Sequence, residues 1–420
     1  MNYQDFEALP TPCYVFSADE LRERLAAVRK LLGPDIRLVY AMKANPFLIR
    51  SALPFVDALE VCSPGEAEIC AASDVPPAKL VLSGVNKEKE NFRMIAARWG
   101  NSPVYTAESP AQLALLNAIA MEKSLKMQVL LRVSAGNQFG MDEPDLFDLI
   151  RRRDAFPGVS LLGLQFYSGT QKLPRQIRSE ISYLDDLISR ITHETGYMPA
   201  ELEYGPGLAV QYFVNETDRD LKETVTTLTE LLHGMHFAGR ITLEMGRFLT
   251  AHCGYYATRI VDCKSISGRT FCITDGGVHQ INYFGQSMAM KVPHIMTKST
   301  PASEVSVSSD ASASSEASAL REASASSEIS AKKEDPSCMI CGSLCTTADV
   351  LVREISLHDP LPGDLLVFTR TGAYSVTEGI SLFLSRDLPA IYLSTNNHLT
   401  KVRPTEQTWR MNYGTITGNS

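Results

Sequence analysis

DIRLVYAMKANP, residues 35–46, carries an apolar run of strand length that ends in Lys43 and is closed by Ala, Asn and Pro. Branched and aromatic residues between turn formers read as a buried strand, and the Asn-Pro pair stops it. If the strand belongs to a barrel, its C-terminal end lies at the mouth, where barrel enzymes keep their chemistry. Partial desolvation there would lower the ammonium pKa and leave Lys43 able to condense with a carbonyl group. Taken alone, the stretch also fits a lysine solvated at a strand end.

The surroundings favour the barrel. AKLVLSGV (78–85), SPVYTA (102–107), KMQVLLRVSAG (126–136), VSLLGLQFYSG (159–169), AELEYGPG (200–207) and GRITLEMGR (239–247) are further strand candidates. Helix-like segments such as SADELRERLAAVRKLL (17–32) and SPAQLALLNAIAMEKS (109–124) alternate with the strand runs. Seven or eight βα units between residues 35 and 248 predict a (β/α)8 TIM barrel. Beyond it the pattern changes to short strands with turns, in YYATRIVDCKSISGRTFCITDGG (255–277), DVLVREISL (349–357), GDLLVFTRTGAY (363–374) and LPAIYLS (388–394). The expected fold class is therefore α/β plus β, a barrel with a C-terminal, mostly antiparallel β domain over residues 249–420. Residues 1–34 are expected to complete the β domain and lead into the barrel. Residues 297–336, nearly all Ser, Ala and Glu, read as a disordered surface insertion, because such a composition cannot offset the entropy of ordering.

Composition narrows the function classes. The chain has 420 residues, 44% hydrophobic and 21% charged, and a net charge of −8. That balance suits a soluble enzyme and provides no basic footprint for nucleic acid. No apolar run reaches membrane-spanning length. The N-terminus lacks a basic segment followed by an apolar one, so no secretory signal is expected and the cytoplasm is the expected location. Nine scattered cysteines suggest reduced thiols rather than a disulfide framework. Three of them fall within CMICGSLCTTAD (338–349), which could be a metal knuckle, part of a disulfide framework or a loop carrying one reactive thiol. Cx2Cx3C has no nearby fourth ligand, which disfavours metal.

Other candidate site residues lie in LEMGRFLT (243–250) and EYGPGLAV (203–210). Glu244, Gly246 and Arg247 would follow a late strand as an acid, a close-approach glycine and a base. Gly205 and Gly207 flank Pro206 in a turn whose amides could cradle a phosphate. Each motif separately is compatible with an ion pair or an ordinary turn.

In order and spacing together, YAMKANP, LEMGRF, CITDGGV and GAYS resemble the pyridoxal-phosphate (PLP) decarboxylases of the alanine-racemase-like fold, including ornithine/arginine and diaminopimelate decarboxylases. The resemblance runs from TPCYVF to GAYS and leaves out only the Ser/Ala-rich insertion. It implies an amino-acid carboxy-lyase with PLP held on Lys43 and Glu244 paired with the pyridine nitrogen. It also implies a phosphate on the amides near Gly205, Gly207, Gly246 and Arg247, with Tyr374 reaching it. Glu60 and Glu66 match acidic positions near the cofactor, and Arg132 matches a supporting arginine. Tyr167, in FYSGTQ, stands where relatives stack a histidine on the ring. CGSLCTTAD resembles the loop that crosses a homodimer interface into the partner's site, which makes Cys345 the thiol that returns a proton to Cα. Cys338 and Cys341 are then buried bystanders. Relatives place an acid directly after that cysteine, for the distal end of the substrate, whereas this chain has Thr346, with Asp349 as the trailing acid.

FYSGTQK, DGGVHQINYFGQSMAMK and CGSLCTTADVLVR look closer to a branch from antibiotic and siderophore pathways. It includes the butirosin decarboxylase of a glutamyl group held on an acyl-carrier protein. The expectation is a homodimer with shared active sites acting on a small or carrier-bound amino acid, with neither nucleic acid nor membrane as partner. The alternatives are a free-amino-acid decarboxylase of the diaminopimelate or ornithine type, a racemase, and a non-catalytic PLP-binding regulator.

Overall fold

The computed structural model describes residues 1–217, 219–283, 290–299 and 337–414. Eight parallel strands close a barrel: Ile36–Ala41, Ala58–Val61, Leu80–Leu82, Val104–Ala107, Met127–Val133, Val159–Tyr167, Glu201–Gly205 and Arg240–Met245. The last strand pairs with the first, placing Val39 opposite Glu244 and Tyr40 opposite Met245. Closure therefore sets the Glu244 strand end beside the Lys43 strand end. Gly246 permits the approach, since a Cβ there would lie 2.9 Å from the Ala44 Cβ.

Seven of the strands correspond to the seven apolar runs of the sequence. The eighth, Ala58–Val61, has no counterpart among those runs. It exists because parallel partners on both sides, Val39–Ala41 and Leu80–Leu82, satisfy its backbone.

The helices are encoded more locally. Ala18–Leu32 starts at Ser17, whose side chain accepts from the Glu20 amide, and stops before Gly33 at φ +74°. Its buried face is Leu21, Leu25, Val28 and Leu32, at the three- and four-residue spacing of one helical stripe. Each such leucine contributes about 1.5–3 kcal/mol through burial.

A second sheet of nine strands contains Cys13–Ser17, Gly254–Ile266, Arg269–Thr274, Ser337–Cys341, Val350–Ser356, Leu365–Thr369, Ala390–Thr395 and His398–Arg403, with the short Ile295–Met296 at its side. Its pairings are antiparallel except those of Cys13–Ser17 with Ala390–Thr395 and of Arg269–Thr274 with Ser337–Cys341. The chain thus begins in this sheet, builds the barrel and returns at Gly254. Most of the expected insertion, residues 300–336, lies outside the described residues. Among the described residues no helix is long and apolar enough to cross a membrane.

Candidate active site

The C-terminal ends of three barrel strands bring carboxylates and one lysine together. Lys43 Nζ donates to Glu60 Oε2 at 2.5 Å and to Glu244 Oε1 at 3.4 Å, with Cys62 Sγ at 3.7 Å. The expected lowering of the Lys43 pKa is reversed. Burial works against its charge, but Glu244 and Glu60 outweigh burial and hold the ammonium well above its ordinary range.

The two acids respond in opposite directions. Burial lifts the Glu244 pKa and Glu60 lifts it further, against the pull of Lys43. Glu60 is equally buried, yet Lys43 and its hydrogen bond to Glu244 hold it below the usual carboxylate range. Glu203, midway along the neighbouring strand Glu201–Gly205, is raised by burial and by the same two acids, and it accepts from Gln165 Nε2 at 2.6 Å. One ammonium thus serves several buried carboxyls.

Aromatic and basic groups surround the mouth. Arg247 donates to the Tyr212 hydroxyl at 2.9 Å and lies 4.5 Å from the Tyr374 ring centroid. Arg132 pairs with Glu108 at 2.9 Å and stacks 4.8 Å from Phe139. Tyr167 ends its strand beside Gly205, where a Cβ would come within 2.6 Å of the ring. Two links tie the β domain to the lysine turn: the Tyr374 amide donates to Ala44 O at 2.7 Å, and Asn45 Nδ2 donates to Gly372 O at 3.0 Å.

Glu66 accepts from the Cys62 amide at 2.6 Å at the start of helix Pro64–Ala72 and lies close enough to Lys43 and Glu60 for both to act on its charge. Asp349 departs from the substrate role read for it. Its carboxylate is buried and accepts from Leu344 N at 2.7 Å and Val278 N at 2.8 Å. It is wedged between glycines, for a Cβ on Gly277 or Gly342 would meet it at 2.6 or 2.2 Å. Cys345 is exposed on the loop that Asp349 closes, and Thr346 is half-buried. Among the described contacts none joins either of them to the Lys43 group.

Sequence reasoning missed Glu203, Gln165, Lys87 and Lys172. Lys87 is buried, donates to Gly84 O at 2.6 Å and is pushed down to about 8 by burial, with Glu108 opposing. The available signal was position, since Glu203 and Gln165 are polar residues inside strand runs. Lys87 and Lys172 sit in loops that only the barrel brings to its mouth.

This geometry defines a class: a barrel enzyme with a lysine among buried acids at the strand C-termini. Residues 18–251 match the family described as "Pyridoxal-dependent decarboxylase, pyridoxal binding domain", and the chain belongs to that family. It is a PLP-dependent amino-acid decarboxylase. It is 24% identical over 419 residues, covering 94% of this chain and 91% of the relative, to the L-glutamyl-[BtrI acyl-carrier protein] decarboxylase of Niallia circulans. It is 26% identical over 409 residues, covering 92% and 94%, to the 2-[(L-alanin-3-ylcarbamoyl)methyl]-2-hydroxybutanedioate decarboxylase of Staphylococcus aureus. In fold it matches the Helicobacter pylori diaminopimelate decarboxylase complexed with L-lysine, with TM-score 0.79 at 20% identity over 98% of this chain and 99% of that one.

The residues present fit PLP. Glu60 and Glu244 together face a single ammonium, and a protonated ring nitrogen held by Glu244 would supply the second cation that lets both ionise.

Proposed function

We propose that the protein removes the α-carboxylate of an amino acid whose distal end is already joined to another group, such as a glutamyl-carrier protein, and that two copies share each active site. When bound, PLP supplies the electron sink for the pair left on Cα as carbon dioxide departs. Lys43 tethers the cofactor through Nζ, and Glu244, with Glu60 behind it, holds the ring nitrogen. The Gly205–Gly207 and Gly246–Arg247 turns and Tyr374 take the phosphate, and Tyr167 covers one ring face. Arg132 is held by Glu108 at the same mouth. Cys345 of the second copy, exposed on a tethered loop, returns the proton to Cα. Thr346, beside it, faces the distal end of the substrate.

The observation that carries the substrate reading is the absence of an available acid on the Cys345 loop. Thr346 is neutral, and Asp349 already accepts two backbone amides in a buried setting. A free distal ammonium buried without an anionic partner costs several kcal/mol, whereas a thioester or amide needs only neutral polar contacts. The names of the two curated relatives describe substrates of that kind, one a glutamyl-carrier protein and one an amide. The test is a competition assay offering glutamyl-carrier protein with ornithine, lysine and diaminopimelate, followed by mass spectrometry for loss of carbon dioxide. Turnover of the carrier substrate is expected. Efficient turnover of a free diamino acid with the carrier substrate untouched overturns the tethered-substrate reading.

A further inference from the structure

We propose that Cys263 and Cys272 are a redox modification site in the β domain, forming a reversible cross-strand disulfide when a small-molecule disulfide such as oxidised glutathione is the oxidant. This site is independent of what the barrel binds.

The hairpin places the two thiols face to face. Cys263 lies on Gly254–Ile266 and Cys272 on Arg269–Thr274, and the antiparallel register sets them directly opposite each other. That register is pinned by a two-residue turn, Ser267–Gly268, with φ of +52° and +80°. Opposed residues on antiparallel strands have Cα atoms about 4.5–5.5 Å apart, inside the range of about 4.4–6.8 Å that a disulfide spans. Nearer the turn on the same face, Ser265 Oγ and Thr270 Oγ1 are 3.1 Å apart. The Cys263 and Cys272 sulfurs are already 3.5 Å apart. Forming the bond needs a small rotation of each side chain and no change of register.

A third thiol completes the group. Cys338, 2% exposed on the adjacent strand Ser337–Cys341, hydrogen-bonds Cys272. That contact, with burial, raises the Cys272 pKa, and it lowers that of Cys338, so Cys338 loses its proton first and can accept one from Cys272. Burial raises Cys263, with Cys272 opposing. Cys263 is half-buried and Cys272 is fully buried, so the oxidant meets Cys263 first.

The exchange balances. The Cys263 thiolate attacks one sulfur of the oxidant, breaking its S–S bond, forming a mixed disulfide and releasing one thiol. Cys272, giving its proton to Cys338, then attacks Cys263 Sγ and expels the second thiol. Two protein thiols are oxidised, one small disulfide is reduced, and the two cysteine protons end on the two released thiols. The strand of Cys272 runs on into Gly276–Val278, where Gly276 O accepts from Ser343 N and Val278 N donates to Asp349. The disulfide therefore braces the segment that supports the Cys345 loop.

The test uses reduced holoenzyme, freed of reductant and incubated with oxidised glutathione. The reaction is quenched by alkylation, digested with trypsin and mapped by mass spectrometry, since Lys264 and Arg269 place the two cysteines on separate peptides. A link between those peptides is expected, together with a melting temperature about 2 °C or more above that of the reduced protein, removed by dithiothreitol. Cys272→Ser should stop at a glutathione adduct on Cys263. Should that variant not fold, Cys263→Ser, at a half-buried position, should lose both the link and the rise in melting temperature. No link, a link from Cys272 to Cys338 or from either residue to Cys345 in its place, or a link without the rise overturns the proposal.

Discussion

In the proposed function the chemistry turns on Lys43. Its two carboxylate partners hold it protonated, so before it can attack a carbonyl it must lose a proton to its surroundings, and Glu244, whose pKa is raised, is the neighbour best placed to receive one. Borohydride reduction followed by peptide mapping is expected to find the cofactor on Lys43, and Lys43→Ala should abolish that adduct. Recovery of the cofactor on Lys87 or Lys172 instead would move the assignment to one of the other lysines buried near the mouth. Lys43 was legible in the sequence as a lysine closing a strand. Its raised pKa was not, because Glu60 and Glu244 lie 17 and 201 residues away.

At the scale of elements, the loop between Ser337–Cys341 and Val350–Ser356 is an anchored structure. Gly342 N donates to Asp349 O at 3.0 Å, Ser343 N donates to Gly276 O at 2.7 Å, and Arg386 donates to Ser343 O at 2.8 Å. The Asp349 side chain adds two amides from two different segments. Asp349→Asn turns one acceptor oxygen into a donor facing an N–H, which costs about 1–3 kcal/mol. A lower melting temperature and a changed alkylation rate at Cys345 are expected, with the KM for substrate little altered through any direct contact. A large rise in KM at unchanged thiol reactivity would restore Asp349 to the substrate site. CTTAD pointed to this segment, but the spacing of Cys345 and Asp349 could not distinguish a ligand from a staple. Only the approach of Gly276–Val278 decides it.

For the whole molecule, Cys345 is exposed while Lys43 lies inside the barrel mouth, and the proposed shared site would have the thiol supplied by a second copy. Mixing Lys43→Ala with Cys345→Ala subunits should restore about a quarter of wild-type activity after random exchange, because half of the dimers are mixed and each holds one intact site. No recovery despite demonstrated exchange would favour a site built within one chain.

The sequence by itself pointed to the helices Ala18–Leu32 and Pro110–Glu122, seven of the eight barrel strands and the order of the motifs, because stripes of apolar residues, capping serines and turn formers act over a few residues. Ser17 before the Ala18–Leu32 helix and Asn45-Pro46 after Lys43 are such signals. Tertiary structure alone decided the short Ala58–Val61 strand, the charge state of the Lys43 group, and the placement of Asp349 and Lys172. Each of these depends on what burial costs a charged or polar group, and burial is a property of the neighbours that the closed barrel and the returning β domain bring in from distant parts of the chain.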